Sequence, residues 1–292
     1  MKILVVNAGS SSLKFKLFNL DPIDEASLSQ MPPSEALATD PKLMVLLSGV
    51  VERVGTPHAQ LTYKNHVAQT ECHTQAEAAS STDALSVVLN ALTTDPHAVI
   101  DSLDEVGAVG HRIAHGGDVF GCSVEVDDGV IEVIERLSDL APLHNPSALA
   151  VLRRCQELLP HALEVTAFDT AFHQTMPARN YVYPIPYRYY AEKGIRRFGF
   201  HGMSHKYVSR RAAEFLGKSP RDLKMITCHL GAGASLTAID HGISMDTTMG
   251  YTPLDGIMMG TRSGSVDPAI ITAIMEIENT TVFQEISYNG SY

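Results

Sequence analysis

Five short stretches carry the residue types from which a reactive site could be built. In "GHRIAHGGDVF", residues 110 to 120, Arg112 closes an apolar run beside two glycines. That setting can aim a guanidinium for bidentate binding of a carboxylate or phosphate. In "VTAFDTAFHQTMP" an apolar run ends on Asp169, where open α/β sheets place ligand-binding groups, although an aspartate there serves equally as a helix N-cap. In "HLGAGAS", Gly231 and Gly233 let the backbone approach a phosphate closely and His229 can donate to a phosphoryl oxygen; a tight turn would also call for these glycines. "GIMMGTRSGSVDPAI" sets Arg262 in a Gly-Ser loop ahead of a helix expected to start at Asp267-Pro268. Taken singly, each arginine also reads as a surface residue.

The fifth stretch, "GFHGMSHKYV", spaces His201 and His205 four apart. A zinc pair of this kind needs both rings on one helix face and a further ligand, and the glutamate of HExxH is missing. Ser204 is the expected N-cap of a helix over 204–216, which leaves His201 in the preceding loop and His205 in the first turn, on different faces. Two other phosphate signatures fail. "LGKS" at 216–219 has Ala212, inside the helix, where a P-loop needs its first glycine, and "GAGAS" lacks the third glycine of a dinucleotide fingerprint and leads into a strand.

These residues need elements to hold them. "KILVV" and "LKFKLF" alternate as two strands of a hairpin around the turn "NAGSSS", with Leu13, Phe15 and Leu17 on one face. The acidic, proline-rich stretch 21–42 reads as a surface excursion. Strands are expected near 43–53, 60–68, 106–113 and 162–168, with helices near 76–92 (Ala84, Leu85, Val88 and Leu92 sharing a face), 129–139 and 146–159. The mixture is α/β. A Pro-Tyr-rich connection over 177–190 separates an expected first domain, 1–176, from a second, 177–292. The second domain holds the strand "KMITCHL" and a hairpin turning at Asp240–Gly242. "ILVVNAGSSSLKFKLFN" and "MITCHLGAGASLTAIDH" share a pattern of strand, small-residue turn, Ser-Leu and strand. That pattern raises an internal duplication, against a chance match of two hairpins.

With 22 Lys and Arg against 33 Asp and Glu, the net charge of -11 repels nucleic acid and anionic membranes, so neither is an expected partner. An anionic ligand must be held by locally focused cations. The four cysteines are scattered without a CxxC pair, which suits reduced thiols. The opening apolar run is too short for a signal peptide and no later run reaches spanning length, so a cytoplasmic location is expected.

"NAGSSSLKF", "HRIAHGG", "APLHNP", "FDTAFHQTMP", "GFHGMSHKYV", "HLGAGAS" and "DTTMGYTPLDGIMMGTRSGSVDP" follow one another in the order seen in the acetokinase family, and the chain resembles that family along most of its length. The resemblance implies a duplicated actin-like (ribonuclease H-like) two-domain fold with a cleft between the domains. It also implies reversible ATP-dependent phosphorylation of a short carboxylate, acetate or propionate, with Mg²⁺ or Mn²⁺, in a cytoplasmic homodimer. By motif match, His201 and Arg262 fall on the family's catalytic pair and Asp169 on its active-site aspartate. Arg112 matches the carboxylate-binding arginine, with Ala114, Leu143, His144, Phe200 and Pro253 also on the acyl side. Ser10, Ser12, Lys14 and the loop His229, Leu230, Gly231, Ala232 and Gly233 match the nucleotide side, and Asn7 the metal site.

Four residues depart from the family's usual pattern: Ala232 for Asn, Met203 for Thr, Ser265 for Asp, and Ala114 for Val. The smaller Ala114 is expected to leave room for propionate. The family pattern also continues for about a further quarter of its length, with an adenosine pocket and a magnesium-binding glutamate. The chain is therefore read as having an incomplete second domain, and a noncatalytic acyl- or phosphate-binding relative, or a fragment of such a kinase, is the competing reading.

Overall fold

The computed structural model describes residues 1–20, 43–94 and 98–277. The stretch 21–42 lies outside them. Two compact units are formed, one from 1–113 with 124–167, the other from 114–123 with the residues from 168 onward. The 177–190 connection lies inside the second unit.

The first unit is built on one eight-stranded sheet in the order β5-β4-β3-β2-β1-β6-β8-β7. β1 (Lys2–Ala8), β2 (Ser12–Leu20), β3 (Leu43–Glu52), β4 (Gln60–Asn65) and β5 (Thr70–Gln75) form an antiparallel meander. β6 (Val106–Ile113) runs parallel to β1, and β7 (Val124–Glu125) pairs antiparallel with β8 (Leu163–Phe168). Alternation decides which face is buried: Leu4, Val6 and Ala8 of β1 and Leu13, Phe15 and Leu17 of β2 point into the core. α1 (Ser81–Thr93) adds Ala84, Leu85, Val88, Leu89 and Leu92 to it.

Three expected boundaries shift, each for a local reason. α1 starts five residues later than expected because Ser80 caps it, its side chain accepting from the Asp83 N–H. The strand expected over 60–68 stops at Asn65, whose Oδ1 accepts from the N–H groups of Val67 and Ala68 and turns the chain into β5. β5 itself, "TECHTQ", is a polar edge strand with no buried residue and so no alternation to read. The helix expected over 129–139 is α2 (Asp128–Arg136) followed by a 3₁₀ turn. α3 (Asn145–Leu158) is close to expectation.

One buried polar pair ties β6 to β8. His111 Nε2 hydrogen-bonds to the Glu164 carboxylate, both almost wholly buried. Cys155 lies beside them, the three groups presenting ligand-type atoms within 4.8 Å of one another. Burial pushes the Cys155 thiol pKa up, so the sulfur stays protonated. With His111 and Glu164 bonded to each other, the trio is core packing rather than an open ligand set. Removing one member of such a pair strands the other, so Glu164→Ala is expected to lower the unfolding free energy by about 3–5 kcal/mol. Glu164→Gln, which can keep the hydrogen bond, should lose less. Urea titration of both variants followed by circular dichroism checks this.

The second unit carries a three-stranded antiparallel sheet, β9 (Lys224–Leu230), β10 (Ala234–Asp240) and β11 (Ile243–Thr247), with β10 in the middle. This is the order of β1, β2 and β3, so the Ser-Leu hairpins noted in the sequence each open a three-stranded meander. The connection after Met176 holds two short helices, α4 (Ala178–Tyr181) and α5 (Arg188–Lys193), followed by α6 (Gly202–Phe215) and α7 (Pro268–Ile277). No helix among the described residues is long and apolar enough to cross a membrane.

Candidate active site

In the first unit Asn7, Arg112 and Lys14 come together where β1 runs beside β6 and β2. Val6 pairs with His111, which brings their neighbours Asn7 and Arg112 together: Arg112 Nη1 donates to Asn7 Oδ1 at 3.3 Å. Lys14 faces Asn7 across the hairpin. Ser10 is exposed in the turn, and the Ser12 carbonyl closes that turn by accepting from the Gly9 N–H at 2.7 Å. Leu143 is exposed, and His144 is the half-buried residue before α3, making no side-chain capping bond.

In the second unit a second group assembles around the phosphate-type turn. Gly231 N–H bonds to the Gly233 carbonyl, which curls residues 231–233 between β9 and β10. A Cβ placed on Gly233 would lie 3.3 Å from Arg262 Nη1 and 3.4 Å from His201 Cε1. The two residues matched to the catalytic pair therefore converge on the turn matched to the phosphate loop, and glycine at 233 keeps the space between them open. Arg262 is held by its own loop: Nη1 donates to the Pro253 carbonyl at 3.0 Å, and the Arg262 carbonyl accepts from Met259 N at 2.9 Å. Ser265 fixes the same loop, its hydroxyl donating to Asp255 Oδ1 at 2.6 Å and accepting from Gly256 N at 3.0 Å. A serine thus suffices there for the loop's own hydrogen bonds. Leu230 and Ala232 are exposed.

The histidine motif departs from expectation. α6 begins at Gly202, and His201 is its N-cap in the left-handed conformation, φ 57°. Ser204 is not the cap; its hydroxyl instead bonds His229 Nδ1 at 2.9 Å. Nor do His201 and His205 part company. Both reach Ser235, His201 through Nδ1 at 2.9 Å and His205 through Nε2 at 2.8 Å. The His229 ring stacks on His201 with centroids 4.0 Å apart. The best capping residue in the sequence, Ser204, points to a later start than the one formed, in which the non-glycine His201 takes the left-handed conformation and Gly202 opens the helix.

Asp169 follows β8 directly and is buried. It is not the cap of the segment that follows: the 3₁₀ turn over 171–175 has Thr170 before it and no side-chain capping bond. Its carbonyl accepts from the Gly202 N–H at 2.8 Å, which docks the start of α6 onto the Asp169 segment. Ala114 and Phe200 are buried in this unit. The first glycine of "HGG" has a packing reason, since Gly116 lies against the Phe168 ring and donates its N–H to Thr170 Oγ1 at 3.0 Å.

His173 lies in the motif "FDTAFHQTMP", where its sequence position alone suggests no role. It is fully buried, bonding Ser244 through Nδ1 at 2.9 Å and donating from Nε2 to the Phe200 carbonyl at 3.0 Å. It therefore fixes the residue just before His201. Burial pushes the pKa of His115 and His173 down to about 4 and that of His205 to about 3, the last helped by neighbouring histidines. All three stay neutral in the folded chain where an unfolded histidine, ordinarily near 6.5, takes up a proton. The unfolded state then binds more protons, so stability is expected to fall as pH drops from about 6.5 towards 4, with no contribution from these groups above that window. Urea midpoints measured through that range check it, and a midpoint that holds steady would contradict it.

The chain matches the model of the acetokinase family over residues 2–288. It is 48% identical over 279 residues to the acetate kinase of Desulfitobacterium hafniense (strain DSM 10664 / DCB-2), a match covering 96% of this chain and 65% of that protein. It is 46% identical over 286 residues to the acetate kinase of Caldanaerobacter subterraneus subsp. tengcongensis, covering 98% and 66%. The chain thus spans about two thirds of the length of these relatives. The crystal structure of Porphyromonas gingivalis acetate kinase superposes with a TM-score of 0.86 at 40% identity, covering 100% of this chain and 68% of that one. A propionate kinase from Francisella tularensis subsp. tularensis SCHU S4 gives 0.83 at 37% identity, covering 99% and 68%. The fold is the duplicated actin-like α/β fold of these kinases, its two halves opening on the β1-β2-β3 and β9-β10-β11 meanders. With nearly its whole length matched and the motif residues gathered as described, the chain belongs to the acetokinase family.

Proposed function

We propose that the chain transfers the γ-phosphoryl group of ATP to a short carboxylate, acetate or propionate, reversibly and by direct in-line displacement. A carboxylate oxygen forms the new bond to phosphorus, the bond from phosphorus to the β–γ bridging oxygen breaks, and ADP leaves with the electron pair. The observation that carries this reading is the approach of His201 and Arg262 to Gly233 in the phosphate-type turn.

The acceptor is ionised at neutral pH, so no base is needed to make the nucleophile. What the reaction requires is neutralisation of charge spread over the transferring oxygens, which suits His201 and Arg262, and an anchor for the acceptor, which suits Arg112. Asp169 is then an orienting carboxylate. The small side chain of Ala114 favours propionate relative to a valine in its place. Lys14, Ser10, Ser12 and residues 229–233 serve the nucleotide phosphates.

A divalent ion, Mg²⁺ or Mn²⁺, fits the chemistry of the donors available. Mg²⁺ takes few protein ligands, all oxygen, and shares the rest with water and phosphate, and Asn7 offers a neutral carbonyl oxygen already oriented by Arg112. When bound it would neutralise phosphate charge. We further place the protein in the cytoplasm as a homodimer.

Hydroxylamine trapping tests the reading. With ATP, Mg²⁺ and acetate or propionate, the full chain is expected to give acyl hydroxamate, and propionate is expected to be used readily beside acetate. A folded chain that binds nucleotide by calorimetry yet forms no hydroxamate with either acid would overturn it, and would leave a carboxylate- or phosphate-binding role instead.

A further inference from the structure

Ser235 stands between two imidazoles, and its hydroxyl has a single proton. It lies 2.9 Å from His201 Nδ1 and 2.8 Å from His205 Nε2. The chain of contacts continues on the far side of His205, whose Nδ1 is 2.8 Å from Thr227 Oγ1. Ser235, His205 and Thr227 are all buried, at 0%, 1% and 6% exposure, which shields their hydrogen bonds from bulk water. We propose that Thr227, His205 and Ser235 form a one-way hydrogen-bond chain that holds His201 with its proton on Nε2, making it a donor towards the phosphoryl group. Thr227, His205 and Ser235 are positioning residues, and the assignment rests on the reading of His201 given above.

The direction follows from counting protons. A neutral His205 has one ring proton and so donates from one nitrogen while accepting at the other; burial, which disfavours its charged form, keeps it neutral. Ser235 must accordingly donate to one histidine and accept from the other. Two directions satisfy that condition, and Thr227 separates them. Among the described residues, its hydroxyl meets no side-chain partner other than His205. If Thr227 donates to His205 Nδ1, its proton is used, His205 donates from Nε2 to Ser235, and Ser235 donates to His201 Nδ1. His201 is left with its proton on Nε2. In the opposite direction the Thr227 proton would be buried with no acceptor, a cost that buried hydroxyls avoid.

The same residues explain why the left-handed N-cap matters. Entering α6 through His201 puts that ring one turn before His205, so one serine on β10 can serve both. His229, bonded through Nδ1 to Ser204 and stacked on His201, limits rotation of the His201 ring.

The test is a nitrogen-15 and proton correlation spectrum of the full chain labelled at histidine, at neutral pH, with His201 and His205 assigned from His201→Gln and His205→Gln. Both rings are expected as Nε2–H tautomers; an Nδ1–H or mixed tautomer for His201 would overturn the proposal. In Ser235→Ala the His201 tautomer should become mixed and kcat fall by about 10- to 100-fold, as for other outer-sphere orienting groups, with the KM values for nucleotide and carboxylate little changed. Ser235→Thr should restore both, and Thr227→Val should reproduce the tautomer change. A Ser235→Ala chain that keeps a pure Nε2–H signal and normal kcat refutes the relay. Should Ser235→Ala not fold, the tautomers of the unmodified chain and of Thr227→Val decide. Since the spectrum needs no turnover, a chain inactive towards both acids would refute the kinase reading while the relay is still measured.

Discussion

Arg262→Ala is expected to lower kcat for the proposed acyl phosphate formation by about 100-fold or more, the loss seen when one donor to a developing charge is removed. The KM for the carboxylate changes little, because its proposed anchor is Arg112. The reason lies in how Arg262 is held. Its Nη1 is bonded to the Pro253 carbonyl, and its guanidinium lies against Gly233, where a methyl group would touch both Nη atoms at 3.3–3.4 Å. The charge is thus fixed before substrate arrives, and nothing must be reorganised in the transition state. Arg262→Lys keeps a positive charge but loses the planar guanidinium that bonds the Pro253 carbonyl while lying against Gly233, so it should recover only a small part of the rate. Hydroxamate assays across a range of acetate and ATP concentrations separate kcat from KM. Near-normal turnover in Arg262→Ala would contradict the assignment.

How much of this was legible in the sequence differs between the two meanders and the histidine cluster. Leu13, Phe15 and Leu17 alternate because one face of β2 is buried, and that face was readable without coordinates. The same rule failed for β5, an edge strand with no buried side chain. Arg262 could be placed ahead of a helix from its Gly-Ser loop and Asp267-Pro268, and Asp267 Oδ1 does accept from the Ala269 N–H at 2.9 Å. Its partner at Gly233 was not readable, because nearly thirty residues separate them and only the folded turn brings them together. In the sequence Ser235 stands out only as a marker of internal repetition. Its contacts with His201 and His205 come from β10 lying beside β9 and α6 packing on that sheet, which no local spacing encodes. Ser204 shows the opposite failure: a strong local signal for capping was overridden by a tertiary bond to His229.

Gly202→Ala tests whether that tertiary arrangement is what sets the site. The Gly202 N–H donates to the Asp169 carbonyl at 2.8 Å, and an alanine Cβ would overlap that same carbonyl oxygen and approach Phe172 Cβ to 3.1 Å. The obstacle is backbone, so no rotamer change relieves it. Either the Asp169 segment or the first turn of α6 must move. A movement of that kind carries His201 away from Ser235 and Gly233, and a displacement of about 1 Å at a reacting group can cost on the order of 100-fold in rate. The expected result is therefore a fall in kcat of that size together with a loss of about 1–3 kcal/mol in stability, the usual range for overpacking. Gly121 is the control: a Cβ there meets nothing within 4 Å, and Gly121→Ala should leave stability within about 0.5 kcal/mol and kcat unchanged. If Gly202→Ala matched that control in both urea midpoint and turnover, the contact between Asp169 and the start of α6 would not position His201. A normal midpoint with reduced kcat would instead put the whole effect on the geometry of the histidine, the outcome that would tie the left-handed entry to α6 most directly to catalysis.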